Sequence, residues 1–517
     1  MTGYRLQVTG DKDFLCFVFS NYELRITNYE LPMSNIDYDI VIIGGTLAGY
    51  HAALMATGFK AKVALIAEEN FLTHSHINYQ YILSQINHLE SQCQNLSNFG
   101  NLPNHIQLNS QNMTWENSLF YAQTINKNIN EINSLGNLAV QGVDIIIGNG
   151  EFQAHPHLNF IVNQRRLYGR TYLLANGSRP LIPNIPGLDT IKYLTLANIW
   201  SYLETTPLAK NWVILGGVHQ SIEIAQLLAK LGCQVTLIAK HPQILSHLDP
   251  EIAQLLIAQL EVDGVRVLNQ TEVTQVRIID NKKWLQVGNE AIETDEILIA
   301  IGQQPNLEYL NLPAVGVKGH RHNLVMNEKL QTTNHRIYAC GDVIGGYDLP
   351  NIANYEANIA VKNALFLPTD KVNYDLIPWG INCQPMVGQV GLTETQAKKR
   401  YSSQKILVLK QYFKTATSAQ IRGEITGICK IIVLENGQIL GGAIFGQAAT
   451  ELINLITLAI SEKINIAKLA RLSAVYPSYT EILVATSREW QTLKLNRNHS
   501  LQELLISFFN YRRDWNL

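Results

Sequence analysis

Two short glycine turns, each set between an apolar strand and a run of small helical residues, are where residue type and spacing in this sequence suit a ligand. The first, Gly44 to Gly49 (GGTLAG), follows the β-branched run Tyr38 to Ile43. A dinucleotide turn needs a glycine for the tight bend, another where backbone approaches a pyrophosphate, and a third where helix packs on strand. Gly44 and Gly49 hold the outer places and Thr46 the middle one, where its small hydroxyl is able to donate to a phosphate oxygen. Taken alone, such a turn also occurs where nothing binds. The second, Gly216 to Ser221 (GGVHQS), keeps Gly216 but has Val218 in the middle and Ser221 last. Valine offers no hydrogen bond and would crowd a pyrophosphate, so this unit reads either as a working nicotinamide nucleotide site or as a fold kept for structure. Its second strand ends in Ala239, Lys240 and His241. A carboxylate there would suit the ribose hydroxyls of NADH. Lys240, unless it is simply a solvated surface lysine, suits the extra phosphate of NADPH.

Thiol and metal chemistry have weaker support. The six cysteines (Cys16, Cys93, Cys233, Cys340, Cys383, Cys429) lie far apart with no CxxC or CxxxxC spacing, so neither a metal knuckle nor a local redox pair is visible. His74 and His76 are two residues apart, a poor arrangement for a metal on a helix, and no metal site is expected.

The elements that must position these turns follow from the flanking sequence. Strand, glycine turn, helix and a second strand from Lys62 to Ile66 make one βαβ unit; Trp212 to Leu215, the helix Ile222 to Leu231 and the strand Gln234 to Ile238 make another. Between them YLLANGSRPLIPNIPG (Tyr172 to Gly187) is an apolar strand followed by a Pro- and Gly-rich turn, the mark of a domain crossover, and EILIAIGQQPN (Glu296 to Asn306) repeats that pattern. From about Val372 the texture changes to alternating strands and a long helix, Ala448 to Ser461, expected to form a separate α+β domain. The fold class is therefore α/β, with two Rossmann-like dinucleotide-binding domains, the second inserted in the first, and a C-terminal α+β domain. The tail Leu501 to Leu517 is amphipathic, aromatic and basic; packing across a dimer is favoured over a membrane-surface contact.

Composition limits the partners. Lys plus Arg (40) nearly balances Asp plus Glu (42), and 46% of residues are hydrophobic, so no strong pull toward nucleic acid is expected. No run of about 18 apolar residues and no signal-peptide order occur, which predicts a cytoplasmic protein without stable membrane insertion. NYEL recurs after seven residues within Asn21 to Leu31, and residues 1–36 are expected to be an extension, with the functional start at Met33.

By this point the order of motifs resembles the pyridine nucleotide-disulfide oxidoreductase family, which includes glutathione reductase, dihydrolipoamide dehydrogenase and mercuric reductase. ANGSRP (Ala175 to Pro180), IYACGDV (Ile337 to Val343), VGLTETQA (Val390 to Ala397) and ILGGAIFG (Ile439 to Gly446) are similar to its motifs in order and spacing. The resemblance implies FAD, a nicotinamide nucleotide (NADPH, or else NADH) and a homodimer. It implies an FAD-binding domain at 37–187 and 309–370, an NAD(P)-binding-like domain at 188–308, a dimerisation domain at 371–492 and a tail at 493–517. It places Gly44, Thr46, Ala48, Gly49, Glu68, Asn176, Gly177, Gly341 and Asp342 on FAD, with Asp342 accepting from the ribitol hydroxyls. Gly216, Lys240 and Gly302 fall to the second nucleotide.

Where the family's redox cysteines lie, the stretch Asn70 to Ser84 has none, and ungapped alignment puts Ser75 and Gln80 in their places. Leu83 and Ser84 stand near the position of a lysine usually close to the flavin, which leaves its usual carboxylate partner, Glu223, unpaired, either hydrated or raised in pKa. Tyr476, Pro477, Ser478 and Glu481 stand where the family has His-Pro-Thr and a later Glu, and Gln303 replaces an arginine expected near the nicotinamide nucleotide. The reading is an FAD-dependent NAD(P)H oxidoreductase that passes electrons to a small non-disulfide acceptor such as a quinone, oxygen or a metal ion. Glu223, Tyr476 and Glu481 would line the reactive edge, the last two reaching from the partner subunit. The alternative is a catalytically degenerate FAD-binding protein with a structural or regulatory role.

Overall fold

The computed structural model describes residues 36–68, 78–86, 88–89, 115–320 and 323–515. In chain order the first unit contains β1 (Tyr38–Ile43), α1 (Leu47–Gly58), β2 (Val63–Ala67), a helix over 78–86, α2 (Trp115–Ile132), β3 (Asp144–Ile147) and β4 (Gly169–Leu174). Next come β5 (Leu194–Thr195), β6 (Asn211–Leu215), α3 (His219–Lys230), β7 (Gln234–Ala239), α4 (Pro250–Val262), β8 (Val265–Asn269) and β9 (Glu296–Ile299). The chain then returns through β10 (Ile337–Ala339) and α5 (Pro350–Leu365).

Strand order shows the insertion directly. One parallel sheet runs β10-β4-β1-β2-β3, so β10, which follows the whole second unit in sequence, lies beside β4. The other runs β8-β7-β6-β9-β5, also parallel. Parallel strands covered on both faces are near-continuous apolar runs, as β2 (VALIA) is throughout and β1 (YDIVII) is apart from the exposed Asp39. The antiparallel pair Gln303–Pro305 with Ser178–Pro180 links the two units at the Pro-rich crossovers. Helix α1 packs against α5 through small side chains: Ala48, Ala52, Ala53 and Ala56 share one core with Ala353, Ala357 and Ala360.

The C-terminal part has β11 (Trp379–Ile381), β12 (Val387–Gly391), β13 (Ile406–Tyr412), β14 (Ile428–Leu434) and β15 (Ile439–Phe445), followed by α6 (Ala449–Ser461), α7 (Thr480–Arg497) and α8 (His499–Asp514). Its sheet is antiparallel, in the order β11-β12-β15-β14-β13. The tail expected to be amphipathic is helical as α8, and none of its residues is buried. Among the described residues no helix is long and apolar enough to cross a membrane. The proposed extension 1–36 lies almost wholly outside the described residues.

A buried ion cluster fastens the second nucleotide unit to the C-terminal sheet. Lys430 on β14 is 2% exposed, and its Nζ lies 2.9 Å from Asp249, 3.0 Å from Glu251 and 2.7 Å from Glu394. Asp249 also caps α4, accepting from the Glu251 backbone N–H at 3.2 Å. Burial alone would lower the lysine pKa, but the carboxylates outweigh it and hold the ammonium above its ordinary value. Removing one partner of such a group leaves uncompensated buried charge. Lys430→Met is therefore expected to destabilise the protein by about 3–5 kcal/mol, seen as a lower thermal midpoint; a midpoint unchanged from wild type would show that the cluster holds nothing together.

Candidate functional site

The first glycine turn is shaped by a carbonyl. Gly44 has φ +116, and a Cβ there would lie 2.3 Å from the Ala175 carbonyl oxygen at the end of β4. A Cβ on Gly49 would meet the Gly44 oxygen at 2.0 Å, so helix and strand approach only because both side chains are absent. Thr46 caps α1, but its hydroxyl donates inward to the Ala175 oxygen at 2.7 Å. The expectation that this hydroxyl faces a phosphate is corrected: the Thr46 hydroxyl is taken up by the Ala175 carbonyl and the Gly49 N–H. Ala48 is buried, and its Cβ lies 3.1 Å from where a Gly341 side chain would begin, so Gly341, at φ +73, lets the Asp342 loop sit on α1.

A cavity of about 680 Å³ opens at this turn. Gly44, Thr46 and Asn176 line it, with Glu68 following β2 and Arg179 in the crossover. The Asn176 side chain donates to the Asn306 carbonyl, while its Oδ1 is buried without a partner. Gly177, at φ +68, would bring a Cβ to 2.9 Å from the Thr46 methyl. A helix N-terminus with no acidic residue in its first turn, a carboxylate beside the second strand and an unsatisfied amide oxygen suit a dinucleotide with its pyrophosphate on the helix.

The second turn repeats the constraint. Gly216 has φ +143, and a Cβ there would meet the Ala300 oxygen, just past β9, at 1.9 Å. Ser221 is fully buried and its hydroxyl donates to the Val218 carbonyl at 2.7 Å, which fixes the first turn of α3. Val218 does not close the site, because it lines a cavity of about 610 Å³ with Lys240, Gly302, Gln303 and Asp342. Lys240 is exposed and forms an ion pair with Glu272, a partner the sequence did not suggest. Asp342 and the second turn thus share one cavity.

Asp342 is surrounded by acids. Burial, and then the neighbouring Asp348, push its carboxyl up to about 8; Ser178 donates to it weakly at 3.5 Å. Glu356 on α5 accepts from the Gly341 N–H at 2.7 Å and from the Tyr374 hydroxyl at 2.6 Å, and burial pushes it up to about 7. Asp348 accepts from Gln220 on α3 at 2.7 Å. Neither Gln220 nor Asp348 is marked by a local motif, and only the fold brings them together.

Glu223 on α3 has a partner, contrary to the expectation that it is unpaired. The buried Gln80, on the helix over 78–86, donates its side-chain N–H to one carboxylate oxygen, and the Asn382 backbone N–H donates to the other at 2.5 Å. Ser84 on the same helix donates to the Asn382 carbonyl at 3.3 Å. Burial pushes Glu223 up to about 7, and the Asn382 N–H only partly offsets it. Ser75, His74 and His76 lie outside the described residues. Tyr476 is 73% exposed. Glu481 accepts from the Ser478 N–H at 2.9 Å and the Thr417 N–H at 3.4 Å, so it serves at the start of α7. Neither residue is hydrogen-bonded to the Glu223 group within one chain.

The family description "Pyridine nucleotide-disulphide oxidoreductase" matches residues 38–357, and its dimerisation domain matches residues 377–487. The chain belongs to the pyridine nucleotide-disulphide oxidoreductase family. Members of this family use FAD and NAD(P)H. The chain is 29% identical over 457 residues to a mercuric reductase of Staphylococcus aureus, covering 86% of this chain and 81% of that protein. It is 28% identical over 479 residues to a dihydrolipoyl dehydrogenase of Synechocystis, covering 87% of this chain and 98% of that protein. In fold it is similar to the HOCl-induced flavoprotein disulfide reductase RclA from Escherichia coli, with a TM-score of 0.74 and 23% identity over 86% of this chain and 98% of that one. LpdA from Mycobacterium tuberculosis gives 0.78 and 21%, over 87% and 99% of the two chains.

The raised carboxyl of Glu223 has a definite sign. Its pKa rises on folding from 4.5 to about 7, so the folded form keeps a proton that the unfolded chain releases, and the stabilisation present below about pH 4.5 is lost as pH rises through about 7. Glu223→Gln is expected to flatten the fall in thermal midpoint between about pH 5 and 8 relative to wild type; an identical pH profile in the variant would show that Glu223 titrates normally.

Proposed function

We propose that this chain is a homodimeric FAD-dependent oxidoreductase that accepts reducing equivalents from NADPH, or else NADH, and delivers them to a small acceptor other than a disulfide: a quinone, oxygen or a metal ion. The observation that carries this reading is the Gln80–Glu223 contact. An amide stands where alignment puts a redox cysteine, and its N–H is committed to a part-buried carboxylate. The described cysteines Cys233, Cys340, Cys383 and Cys429 are all buried and free, and burial raises the thiol pKa of each. The thiolate is the reactive form, so none of these four is suited to relay electrons.

FAD, when bound, supplies the electron-transfer chemistry. The chain's residues hold and orient it: the turn from Gly44 through Thr46 and Ala48 to Gly49 would take the pyrophosphate, Glu68 the adenosine ribose and Asp342 the ribitol hydroxyls, with Asn176, Gly177 and Gly341 shaping the approach. Gly216, Lys240 and Gly302 would hold the nicotinamide nucleotide. Glu223, with a pKa near neutrality, is suited to give or take a proton at the reacting edge. Tyr476, exposed in one subunit, would enter the site of the other with Glu481 and position or protonate the acceptor. A catalytically inert FAD-binding scaffold is the second reading, favoured by Val218 at the middle of the second turn.

Anaerobic mixing with each nucleotide tests the function. Bleaching of the flavin band near ~450 nm is expected with NADPH in preference to NADH, with turnover of a quinone and none of glutathione disulfide or lipoamide. Disulfide turnover would overturn the proposal, and a yellow protein that neither nucleotide bleaches would favour the scaffold or a different electron donor. Tyr476→Phe and Glu481→Gln are each expected to lower acceptor turnover by roughly 10- to 100-fold; if both leave every acceptor unchanged, their assignment is wrong.

A further inference from the structure

One hydrogen bond joins the two nucleotide folds across the wall of the 610 Å³ cavity. Gln220, the second residue of α3, is 3% exposed, and its Nε2 donates to Asp348 Oδ2 at 2.7 Å. Asp348 comes from the loop between β10 and α5, which also carries Asp342, and it lies near enough to Asp342 to help push that carboxyl up. Gln220, Asp348 and Asp342 line the same cavity as the second glycine turn. An amide from one fold and a carboxylate from the other are therefore held side by side where the nucleotide turn and the candidate flavin carboxylate meet.

That pair has a specific chemical complement. The Gln220 amide nitrogen carries two N–H groups, one of which is directed to Asp348, and an ionised carboxylate has several lone pairs. A donor beside an acceptor matches a primary carboxamide, which offers a C=O and an N–H in one plane. The nicotinamide ring carries such a group. We propose that Gln220 and Asp348 together recognise the nicotinamide carboxamide, Asp348 accepting its N–H and Gln220 donating to its carbonyl oxygen. This rests on the nicotinamide nucleotide being the electron donor, as proposed above. Recognition then needs both folds, so the nucleotide is seated only when α3 and the Asp342 loop are in register.

A site built to hydrogen-bond a substrate amide rejects an analogue that lacks it, because its own polar groups are left unpaired. The test is calorimetric titration of the FAD-loaded protein with NADP+ and with its acetylpyridine analogue, in which a methyl ketone replaces the carboxamide. Wild type is expected to bind NADP+ about tenfold more tightly than the analogue. Asp348→Ala should bring that ratio close to one with flavin content retained, whereas Gln220→Leu, which loses a contact to the carbonyl oxygen that both ligands carry, and Lys240→Ala should each weaken both nucleotides alike. A wild-type ratio near one, a ratio unchanged in Asp348→Ala, or Gln220→Leu binding both nucleotides as tightly as wild type overturns the carboxamide assignment while leaving the electron donor intact. Loss of flavin in Asp348→Ala places Asp348 with the flavin and also overturns it. Absence of nucleotide binding by wild type removes the donor reading and this inference together.

Discussion

Both nucleotide folds depend on the same steric constraint: a glycine pressed against the carbonyl oxygen at the end of the neighbouring strand. Gly44 meets Ala175 and Gly216 meets Ala300, each at a positive φ with no room for a side chain. The contact turns the chain sharply enough for α1 and α3 to begin at the strand ends, so the two turns themselves line the two cavities. Other details of the turns vary around it. The first has a glycine where α1 packs on the strand; the second has Ser221, whose hydroxyl is satisfied by a carbonyl of its own turn.

The parts of the fold that were legible in the sequence are those governed by local rules. Apolar runs ending in glycine gave the parallel strands, and Pro-rich stretches marked the crossovers that pair Ser178–Pro180 with Gln303–Pro305. Side-chain destinations were not legible, because a hydroxyl or an amide does not declare which partner it will find. Thr46 turns inward and Lys240 pairs with Glu272. Glu223 finds Gln80, 143 residues away in sequence. Gln220 and Asp348 carry no spacing signal, since a contact across two folds leaves no period in either segment.

Two replacements meet at Glu223: Gln80 where alignment puts a redox cysteine, and Leu83 and Ser84 near the usual place of a lysine. A cation beside Glu223 would keep it ionised, whereas a neutral amide and one backbone N–H leave burial as the dominant influence. The shift toward a protonatable glutamate therefore follows from burial without a cation, and Gln80, standing where a redox cysteine would, supplies Glu223 with a neutral partner instead. The same logic applies around Asp342 and Glu356, where buried acids crowd together and hydroxyl groups, from Tyr374 or from a polyol, are the natural partners.

The Lys430 cluster bears on how separable the folds are. Asp249 and Glu251 belong to the second nucleotide unit, and their cation comes from a sheet strand about 180 residues later. Excised as an independent module, that unit would carry two acidic groups shaped around a missing ammonium, along with apolar side chains that share a core with Ile381, Val387 and Phe445. Transplanting it into a chimaeric reductase would require moving the strand that carries Lys430 as well, so the unit of exchange is the pair of folds rather than either one.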